Sequence, residues 1–258
     1  MQAKPIIDHI VSWLKNYCEA SGMDGFVVGV SGGIDSAVTS TLCALTGKRV
    51  IVLNLPIRQF KTEFALSSEH IAWLMSKYKN VETATVDLSN TLESLEKTFP
   101  NDIQDFLTMA NTRARLRMTT LYAFAGHNRL LVAGTGNKVE DFGIGFFTKY
   151  GDGGVDISPI ADLYKTEVYA LAKELGVVVN IQQAKPTDGL FDDGRNDEDQ
   201  IGASYPELEW AMEYLAKKET TELDARQKEV LHIYTTRHNA NKHKINAIPV
   251  CTIPQNLK

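Results

Sequence analysis

The sequence predicts an α/β fold, with a doubly wound, mainly parallel five-stranded sheet flanked by helices. Short continuous runs of apolar and β-branched residues, typical of strands buried on both faces, alternate with segments of helical periodicity. This alternation favours right-handed βαβ crossovers, which make the connected strands parallel. A chain of 258 residues can enclose one large core, so we expect a single domain over residues 1–258.

The predicted elements follow in a regular order along the first half of the chain. An amphipathic N-terminal helix, with apolar residues at helical spacing, precedes the first strand, GFVVGV (25–30). A helix over residues 35–46 ends at Gly47. The next strands are RVIVLNLP (49–56), VETATVDL (81–88) and LLVAG (130–134). The intervening helices are an amphipathic one over 63–78, a short one, and a long one over about 102–127.

The second half of the chain is richer in turn-forming residues. The Gly-rich segment 134–158 and the acidic segment 187–200 are both predicted to be loops. Helices are expected to return at YKTEVYALAKELG, at YPELEWAMEYLAKK and near the C-terminus.

Composition and charge exclude several classes of protein. The net charge of −5 argues against a general nucleic-acid binder, which would carry a basic face. Cys18, Cys43 and Cys251 have neither CxxC spacing nor a local histidine, so they fit unpaired thiols in a reducing compartment better than a metal or redox centre. The N-terminus is not a secretory signal, and no apolar run approaches the roughly 20 residues that cross a bilayer. We expect a cytoplasmic protein that binds neither nucleic acid nor membrane.

The stretch VSGGIDS marks a predicted ligand site. Ser31, Gly32 and Gly33 lie where the first strand ends, and open parallel sheets bind ligands beyond the carboxyl ends of their strands. Glycines allow a tight turn and leave no Cβ in the way of a ligand, while the N–H groups of the following helix attract phosphate. No GxxxxGK[ST] motif is present, and Asp35 is instead suited to Mg²⁺. A plain turn with Ser31 or Asp35 as N-cap is the less favoured alternative.

A strand followed by SGGxDS resembles the pyrophosphate loop of the ATP pyrophosphatases, which transfer AMP and release pyrophosphate. The resemblance implies a Rossmann-like sheet of the ATP pyrophosphatase type, with ATP as a co-substrate. The group includes GMP, asparagine, argininosuccinate and NAD synthetases and several tRNA-modifying enzymes. The motif therefore indicates the superfamily and not the substrate.

Three arginines lie in the segment NTRARLRM of the long predicted helix. At 100° per residue, Arg113 and Arg117 share one face, whereas Arg115 points nearly the opposite way. Two of these arginines could be solvated, and we prefer that interpretation for Arg113. An arginine that points inward needs an anionic partner, because its planar fork matches carboxylate or phosphate.

The most distinctive string is VAGTGNKVEDFGIGFFTKYGDGGVDISPIADLYKTEV. It leaves the fourth strand at the edge where the SGGIDS turn lies, and Glu140 follows near enough to join Asp35 around one cation. Taken singly, the two lysines of FFTKYG and DLYKTE are typical surface residues. Taken together, the string resembles the ammonia-dependent NAD synthetases, and the similarity covers about residues 25 to 245.

The resemblance implies roles for particular residues. Asp35 and Glu140 would bind Mg²⁺, and the same two carboxylates with Lys165 would be catalytic. The implied ATP contacts are Gly29, Val30, Ser31, Gly32, Gly33, Ile34, Asp35, Ser36, Thr135, Lys165 and Thr187. The implied deamido-NAD contacts are Arg115, Lys149, Asp156, His243 and Lys244.

The resemblance also implies the reaction deamido-NAD + ATP + NH₃ → NAD + AMP + PPi, through an adenylated intermediate. Family members are homodimers that bind the dinucleotide near the subunit interface. The N-terminal and long helices are interface candidates, although both could equally pack within one chain. Residues 57–64 and 189–200 are candidate lids, with an ordinary solvated loop as an equal alternative for the acidic segment.

The chain departs from many bacterial members in two motifs. The chain has GTGNKVE where they have GTDHAAE, and GGIDS where they have GGQDS, but Thr135 and Glu140 keep their spacing. Residues 136–139 resemble the synthetase portion of glutamine-dependent relatives. No glutaminase domain is expected within residues 1–258, so free ammonia or a separate donor protein is implied.

Two rival functions are weighed against the synthetase. Another amidotransferase-type or tRNA-modifying ATP pyrophosphatase is one, but sulfur-inserting members generally need reactive cysteines and this acidic chain has no evident RNA-binding region. A non-catalytic adenine-nucleotide sensor is the other, and it would not need paired carboxylates at Asp35 and Glu140. Pyrophosphate release that depends on deamido-NAD would select the synthetase.

Overall fold

A parallel sheet is the centre of the fold in this computed structural model, which describes residues 1–58, 61–184, 196–217 and 222–258. Within those ranges the strands are β1 (Gly25–Gly29), β2 (Arg49–Asn54), β3 (Val81–Thr85) and β4 (Leu130–Val132). Their order is β3-β2-β1-β4, and each neighbouring pair is parallel. The motifs SGGIDS and GTGNKVE therefore leave adjacent strands, β1 and β4, at the same edge of the sheet.

The predicted fifth strand is wrong for the described part of the chain, where the sheet has four strands. Ile157 forms one isolated parallel bridge with Ala133 instead of a ladder. The carboxylate of Asp156, rather than a backbone carbonyl, accepts the Val132 N–H at 2.8 Å. Pro159 follows and has no N–H to donate, so pairing cannot continue along this segment.

Helices cover both faces of the sheet. Those described are α1 (Ala3–Ala20), α2 (Ile34–Leu45), α3 (Lys61–Lys77), α4 (Ser89–Thr98), α5 (Phe106–Asn128), α6 (Lys165–Leu175), α7 (Val179–Gln183), α8 (Asp197–Ile201), α9 (Tyr205–Lys217) and α10 (Ala225–Ile245). Within the described residues, no helix combines the length and the apolar character that a membrane span requires.

Two segments predicted to be loops are partly helical. A π-helical turn covers Val139–Ile144, inside the Gly-rich segment. The helix α8 begins at Asp197, near the end of the acidic segment, where Asn196 caps it by accepting the Asp199 N–H. Residues 187–195 of that segment lie outside the described ranges.

The two faces of the sheet carry separate cores. Val28 of β1 packs with α1, α2 and α6, whereas its neighbour Val27 packs with α4 and α5. A third apolar cluster joins the π turn to α9 and α10. Because α1 buries its apolar face within the first core, that face is used inside the chain rather than left for a dimer interface.

A buried histidine lies behind the N-terminal half of α2. His70 of α3 has no exposed surface, and its ring stacks on Trp73 with centroids 5.4 Å apart. The Ser40 hydroxyl lies 3.0 Å from His70 Nε2 and donates its own proton to the Ser36 carbonyl, so the imidazole is the donor to Ser40. Nδ1 is buried and has no hydrogen-bond partner. Burial therefore lowers the pKa of His70 to about 4.

This histidine should make the stability of the fold depend on pH. The unfolded chain protonates His70 near its ordinary pKa of about 6.5, and the folded chain only near 4. Above pH 6.5 the free energy of unfolding thus contains the full contribution of His70. It decreases by up to about 3 kcal/mol as the pH drops from 6.5 towards 4. Urea denaturation at pH 7.5 and pH 4.5 measures the change.

The comparison variants are His70→Gln and, as a control, His127→Gln on an exposed position of α5. We expect the free energy of unfolding of His70→Gln to lose part of the pH dependence of the unmodified chain. His127→Gln should keep it. Equal pH dependence in all three proteins would contradict the assignment.

Candidate functional site

The glycine turn after β1 has a geometry that only glycine accommodates. Gly32 has φ = +92°, and a Cβ there would lie 2.9 Å from the Glu63 carbonyl oxygen and 3.1 Å from the Ser67 nitrogen. The turn therefore packs directly against the backbone of α3, and a side chain at this position would force the two apart.

Two serines hold the turn in shape. Ser36 Oγ donates to the Gly33 carbonyl at 3.0 Å and accepts the Ser31 N–H at 3.2 Å. Ser31 Oγ in turn accepts the Gly33 N–H at 3.2 Å. Gly33 is the N-cap of α2 and has no side chain to cover the helix N-terminus, which faces a cavity. An anion in that cavity would meet the N–H groups and the positive end of the helix dipole.

The cavity has a volume of about 580 Å³ and lies across the carboxyl edge of the sheet. Its wall contains most of the predicted site residues. These are Gly29, Val30, Ser31, Gly32, Gly33, Ile34, Asp35, Ser36, Thr135, Glu140, Lys165 and Lys244. The structure thus brings together segments that lie more than 200 residues apart in the sequence.

Three buried charges meet at the N-terminus of α2. Lys165 Nζ lies 2.5 Å from Asp35 Oδ2 and 3.0 Å from Glu140 Oε1. The lysine side chain is 4% exposed, and each carboxylate side chain is 15% exposed. Lys165 also lies 4.8 Å from the centre of the Tyr205 ring. The sequence analysis predicted that Asp35 and Glu140 lie near enough to share one cation, but it did not predict that Lys165 contacts both of them.

Burial and charge act in opposite directions on this group. Burial lowers the pKa of Lys165, but the carboxylates of Asp35 and Glu140 outweigh burial and raise that pKa above its ordinary value. Burial raises the pKa of Asp35, against the opposing effect of Lys165. The group therefore favours a lysine that stays charged between its two acceptors.

Asn137 connects the Asp35 carboxylate to the backbone of the π turn that carries Glu140, and sequence reasoning missed it. Its side-chain amide donates to Asp35 Oδ1 at 3.2 Å, and its side-chain oxygen accepts the N–H groups of Val139 and Glu140, both at 3.1 Å. Asn137 has no exposed surface. It thus fixes where the π turn begins and, through that turn, where Glu140 points.

Tyr205 is a second missed residue. Its hydroxyl donates to Glu140 Oε1 at 2.6 Å and lies 3.3 Å from Asp197 Oδ2. Burial, then the charge of Glu140, raises the pKa of Tyr205, so the phenol remains a donor. Glu140 and Tyr205 are 65 residues apart, and no sequence pattern connects them.

The donor set fits a hard divalent cation. Asp35 and Glu140 both contact the ammonium nitrogen of Lys165, and carboxylate oxygens of this kind also suit Mg²⁺. Both carboxylates also face the cavity beside the helix N-terminus that would hold a phosphate. The geometry therefore places two carboxylates next to a turn whose N–H groups suit an anion.

The predicted dinucleotide contacts are divided between the cavity and its outer rim. Lys244 lines the cavity, where its Nζ donates to the carbonyls of Gly145 and Phe147. Arg115, which is exposed, and Lys149, which is half-buried, lie outside it, and Arg115 donates to the Lys149 carbonyl at 3.4 Å. Lys149 Nζ in turn donates to the His243 carbonyl at 2.5 Å. This second group, Arg115–Lys149–His243, is called the rim cluster below.

Two predicted contacts lie elsewhere. Asp156 accepts a hydrogen bond from the Tyr122 hydroxyl at 3.0 Å as well as the Val132 N–H, so it also holds the end of the sheet. Thr187 lies outside the described residues, as do parts of both candidate lids. The described start of the first lid includes Arg58, which pairs with Glu96.

The preferred interpretation of Arg113 as a solvated residue is wrong. Arg113 Nε is buried, and Arg117, on the same face of α5, lines the cavity. Arg115 is the arginine that points outward to solvent. The sequence analysis correctly placed Arg113 and Arg117 on one face of α5 and Arg115 on the opposite face. The face with two arginines is the inward one, since α5 lies along the cavity.

Comparison with known proteins assigns the family. The family model for NAD synthase matches residues 6–247. The chain is 36% identical over 250 residues to an NH(3)-dependent NAD(+) synthetase from Methanosarcina acetivorans, covering 94% of this chain and 96% of that protein. It is 38% identical over 237 residues to a protein of the same name from Alkaliphilus metalliredigens, covering 88% and 92% of the two chains.

Solved structures agree. An NMN synthetase from Francisella tularensis is 32% identical, with a TM-score of 0.85 and 99% coverage of both chains. An NH3-dependent NAD synthetase from Campylobacter jejuni is 27% identical, with a TM-score of 0.80 over 98% of this chain and 100% of the other. With its motifs, its fold and these matches, the chain belongs to the NAD synthase family.

Proposed function

We propose that this protein is an NAD synthetase that amidates deamido-NAD with ammonia, using ATP and releasing AMP and pyrophosphate. The observation that carries the proposal is the meeting of Asp35, Glu140 and Lys165 beside the glycine turn. A sensor of nucleotides would not need two buried carboxylates converging on one point. The relatives named NH(3)-dependent NAD(+) synthetase support the substrate.

The chemistry requires activation of a carboxylate. Direct attack of ammonia on it would have to expel oxide, whereas AMP is a good leaving group. The acid oxygen therefore attacks the α-phosphorus of ATP, the bond to pyrophosphate breaks, and an acyl adenylate forms. Ammonia then attacks the acyl carbon, AMP leaves with the C–O electron pair, and one proton is released to give the amide.

The protein would contribute positioning and electrostatic stabilisation. The turn N–H groups and the N-terminus of α2 would hold the departing pyrophosphate. Lys165 would neutralise the charge that develops there, since it already lies at the same end of α2. Thr135 and Ser31 to Ser36 would line the bound triphosphate.

Asp35 and Glu140 would hold Mg²⁺, and Asn137 and Tyr205 would orient them. When bound, this ion would supply positive charge to the phosphate oxygens. Residues of this kind that orient a ligand without touching the metal are often needed for full activity.

The rim cluster and Lys244 would bind the dinucleotide beyond its reacting end. Because Arg115 and His243 of the rim cluster are exposed on a single chain, we propose that the active form is a homodimer in which the rim lies near the partner. Leu107 of α5 is 66% exposed, and Trp13 and Tyr17 of α1 are 39% and 42% exposed, so both helices remain candidates for the interface. Free buried thiols at Cys18 and Cys43 are consistent with the predicted cytoplasmic location.

A second candidate substrate is the mononucleotide acid, which would be converted to NMN by the same chemistry. The similarity to the Francisella tularensis NMN synthetase, with its TM-score of 0.85, favours this alternative. It changes only the part of the substrate beyond the reacting nicotinate. The reacting groups described above would serve either acid.

The test measures pyrophosphate release from ATP with Mg²⁺ and ammonium, with either acid or neither. We expect release to require an acid, with one amide formed per pyrophosphate, and deamido-NAD to give the higher kcat/KM. A higher kcat/KM for the mononucleotide acid would select the second candidate. Release without any acid, or no release with either, would contradict both.

Asp35→Ala is the inactive reference, with pyrophosphate release reduced at least about 100-fold. The matched control is Asp162→Ala, whose side chain is 97% exposed and pairs with Lys138 at the surface. That variant should retain the activity of the unmodified protein.

Replacing Asn137 with alanine tests whether this side chain positions Asp35 and the π turn that carries Glu140. Loss of its three hydrogen bonds should lower kcat/KM by about 10–100-fold and raise the Mg²⁺ concentration needed for half-maximal rate. Asn128→Ala is the control, since that amide bonds only the Phe124 carbonyl at the far end of α5. An unchanged Mg²⁺ requirement in Asn137→Ala would refute the proposed role.

Arg115→Ala tests the rim cluster. We expect the KM for the dinucleotide acid to rise about tenfold, as for the loss of one charged hydrogen bond, with the KM for ATP unaltered. Arg49→Ala, which removes a surface arginine paired with Glu82, is the control. If Arg115→Ala leaves the KM for the acid at its original value, the rim does not bind the dinucleotide.

A further inference from the structure

Arg117 is a cationic group on the cavity wall that the reaction as described does not use. It lies on the inward face of α5, one helical turn from Arg113. Its Nε donates to the Leu55 carbonyl at 3.0 Å, which fixes the guanidinium at the carboxyl edge of β2. The two terminal nitrogens of Arg117 remain for another partner.

That partner is absent from the described chain. Within residues 1–58, 61–184, 196–217 and 222–258, no carboxylate lies within 4.0 Å of Arg117 or Arg113. The buried Nε of Arg113 has no hydrogen-bond partner. Burial, then the charge of Arg113, lowers the pKa of Arg117, and the charges of Glu63 and Asp152 only partly oppose this. Two like charges one turn apart repel each other, and a bound anion would reduce this repulsion.

The position of Arg117 is next to the proposed reacting centre. Leu55 follows Leu53, which pairs with Gly29 immediately before the glycine turn. The glycine turn continues into α2 on one face of the sheet, and α5 packs on the other face. The cavity connects the two faces across this edge. A ligand in the cavity would therefore be approached by α2 from one side and by Arg117 from the other.

We propose that Arg117, supported by Arg113, binds an oxyanion of the reactants. This inference rests on the proposed function for the identity of those reactants. The guanidinium fork suits a phosphate or a carboxylate, because both present two oxygens at matching spacing. Two sources are available: a phosphate of ATP and the carboxylate of the acid substrate.

A purely structural role makes a different prediction. If Arg117 serves only to fasten α5 to β2 through the Leu55 carbonyl, its loss lowers stability without selecting between substrates. A ligand-binding role shows itself in affinity for one reactant. It also shows itself in rescue of the truncated side chain by free guanidinium ion, which can occupy the vacated space.

The experiment compares Arg117→Ala and Arg117→Lys with the unmodified protein, and Arg49→Ala is the control. Binding of ATP alone, and of deamido-NAD alone, is measured by titration calorimetry in the full-length protein. Steady-state rates are measured with and without millimolar guanidinium chloride. Thermal melting reports whether each variant is folded, and Arg117→Lys keeps a positive charge if alanine is not tolerated.

We expect Arg117→Ala to weaken one reactant at least about tenfold, Arg117→Lys to recover only part of that loss, and guanidinium to restore activity to Arg117→Ala. Weaker ATP binding assigns the oxyanion to a phosphate, and weaker binding of the acid alone assigns it to the carboxylate. Both reactants bound within threefold of normal by both variants would overturn the proposal, as would a lower melting temperature without any guanidinium rescue.

These outcomes are separable from failure of the proposed function. If the unmodified protein binds ATP but forms no amide with either acid, the proposed reaction fails, while the binding measurements on the Arg117 variants still decide whether this arginine holds an anion. If the unmodified protein is active and Arg117→Ala is equally active, only the oxyanion inference fails.

Discussion

The ion pairs of Lys165 with Asp35 and Glu140 are the constraint on which the site depends. They join three pieces of chain: the start of α2, the π turn after β4 and the start of α6. Removing one partner of a buried pair typically costs about 3–5 kcal/mol, because a charge is left without compensation. With one lysine for two carboxylates, the group has a formal net charge of −1. That residual negative charge is consistent with a site that receives a further cation.

Most of the fold follows from local sequence signals. The strands at Gly25–Gly29 and Arg49–Asn54 are continuous apolar runs followed by helices, so periodicity and turn chemistry predict both their type and their parallel pairing. A fifth strand could not be excluded from sequence. The reason it does not form is that the carboxylate of Asp156 accepts the Val132 N–H, which a fifth strand would need for backbone pairing. The π turn in a glycine-rich segment could likewise not be predicted. The Glu140 N–H near its start donates to the side-chain oxygen of Asn137, and that side chain also contacts Asp35 of α2.

The residues of the site also divide into those that sequence motifs predict and those that depend on tertiary packing. Asp35 and Glu140 belong to motifs that leave neighbouring strands, so their approach was predicted, whereas the contact of Lys165 with both was not. Tyr205 reaches Glu140 from a helix with no motif, and only the packing of α9 brings it there. The inward arginines of α5 were in the right phase on the helix. Which face is buried depends on where the cavity lies, and helical periodicity alone does not contain that information.

The π turn has a consequence for insertions and deletions in the chain. A π turn closes its hydrogen bonds over five residues rather than four, and it therefore accommodates more chain per turn than an α-helix. Both Glu140 and its neighbour Asp141 line the cavity, as do Phe146 and Phe147 just after the turn. Deleting a single residue between Val139 and Ile144 would remove this extra chain and leave the segment at α-helical spacing, so the wider turn that brings Glu140 and Asp141 to the cavity would be lost. The length of this short segment, and not only its composition, thus determines which side chains face a bound molecule.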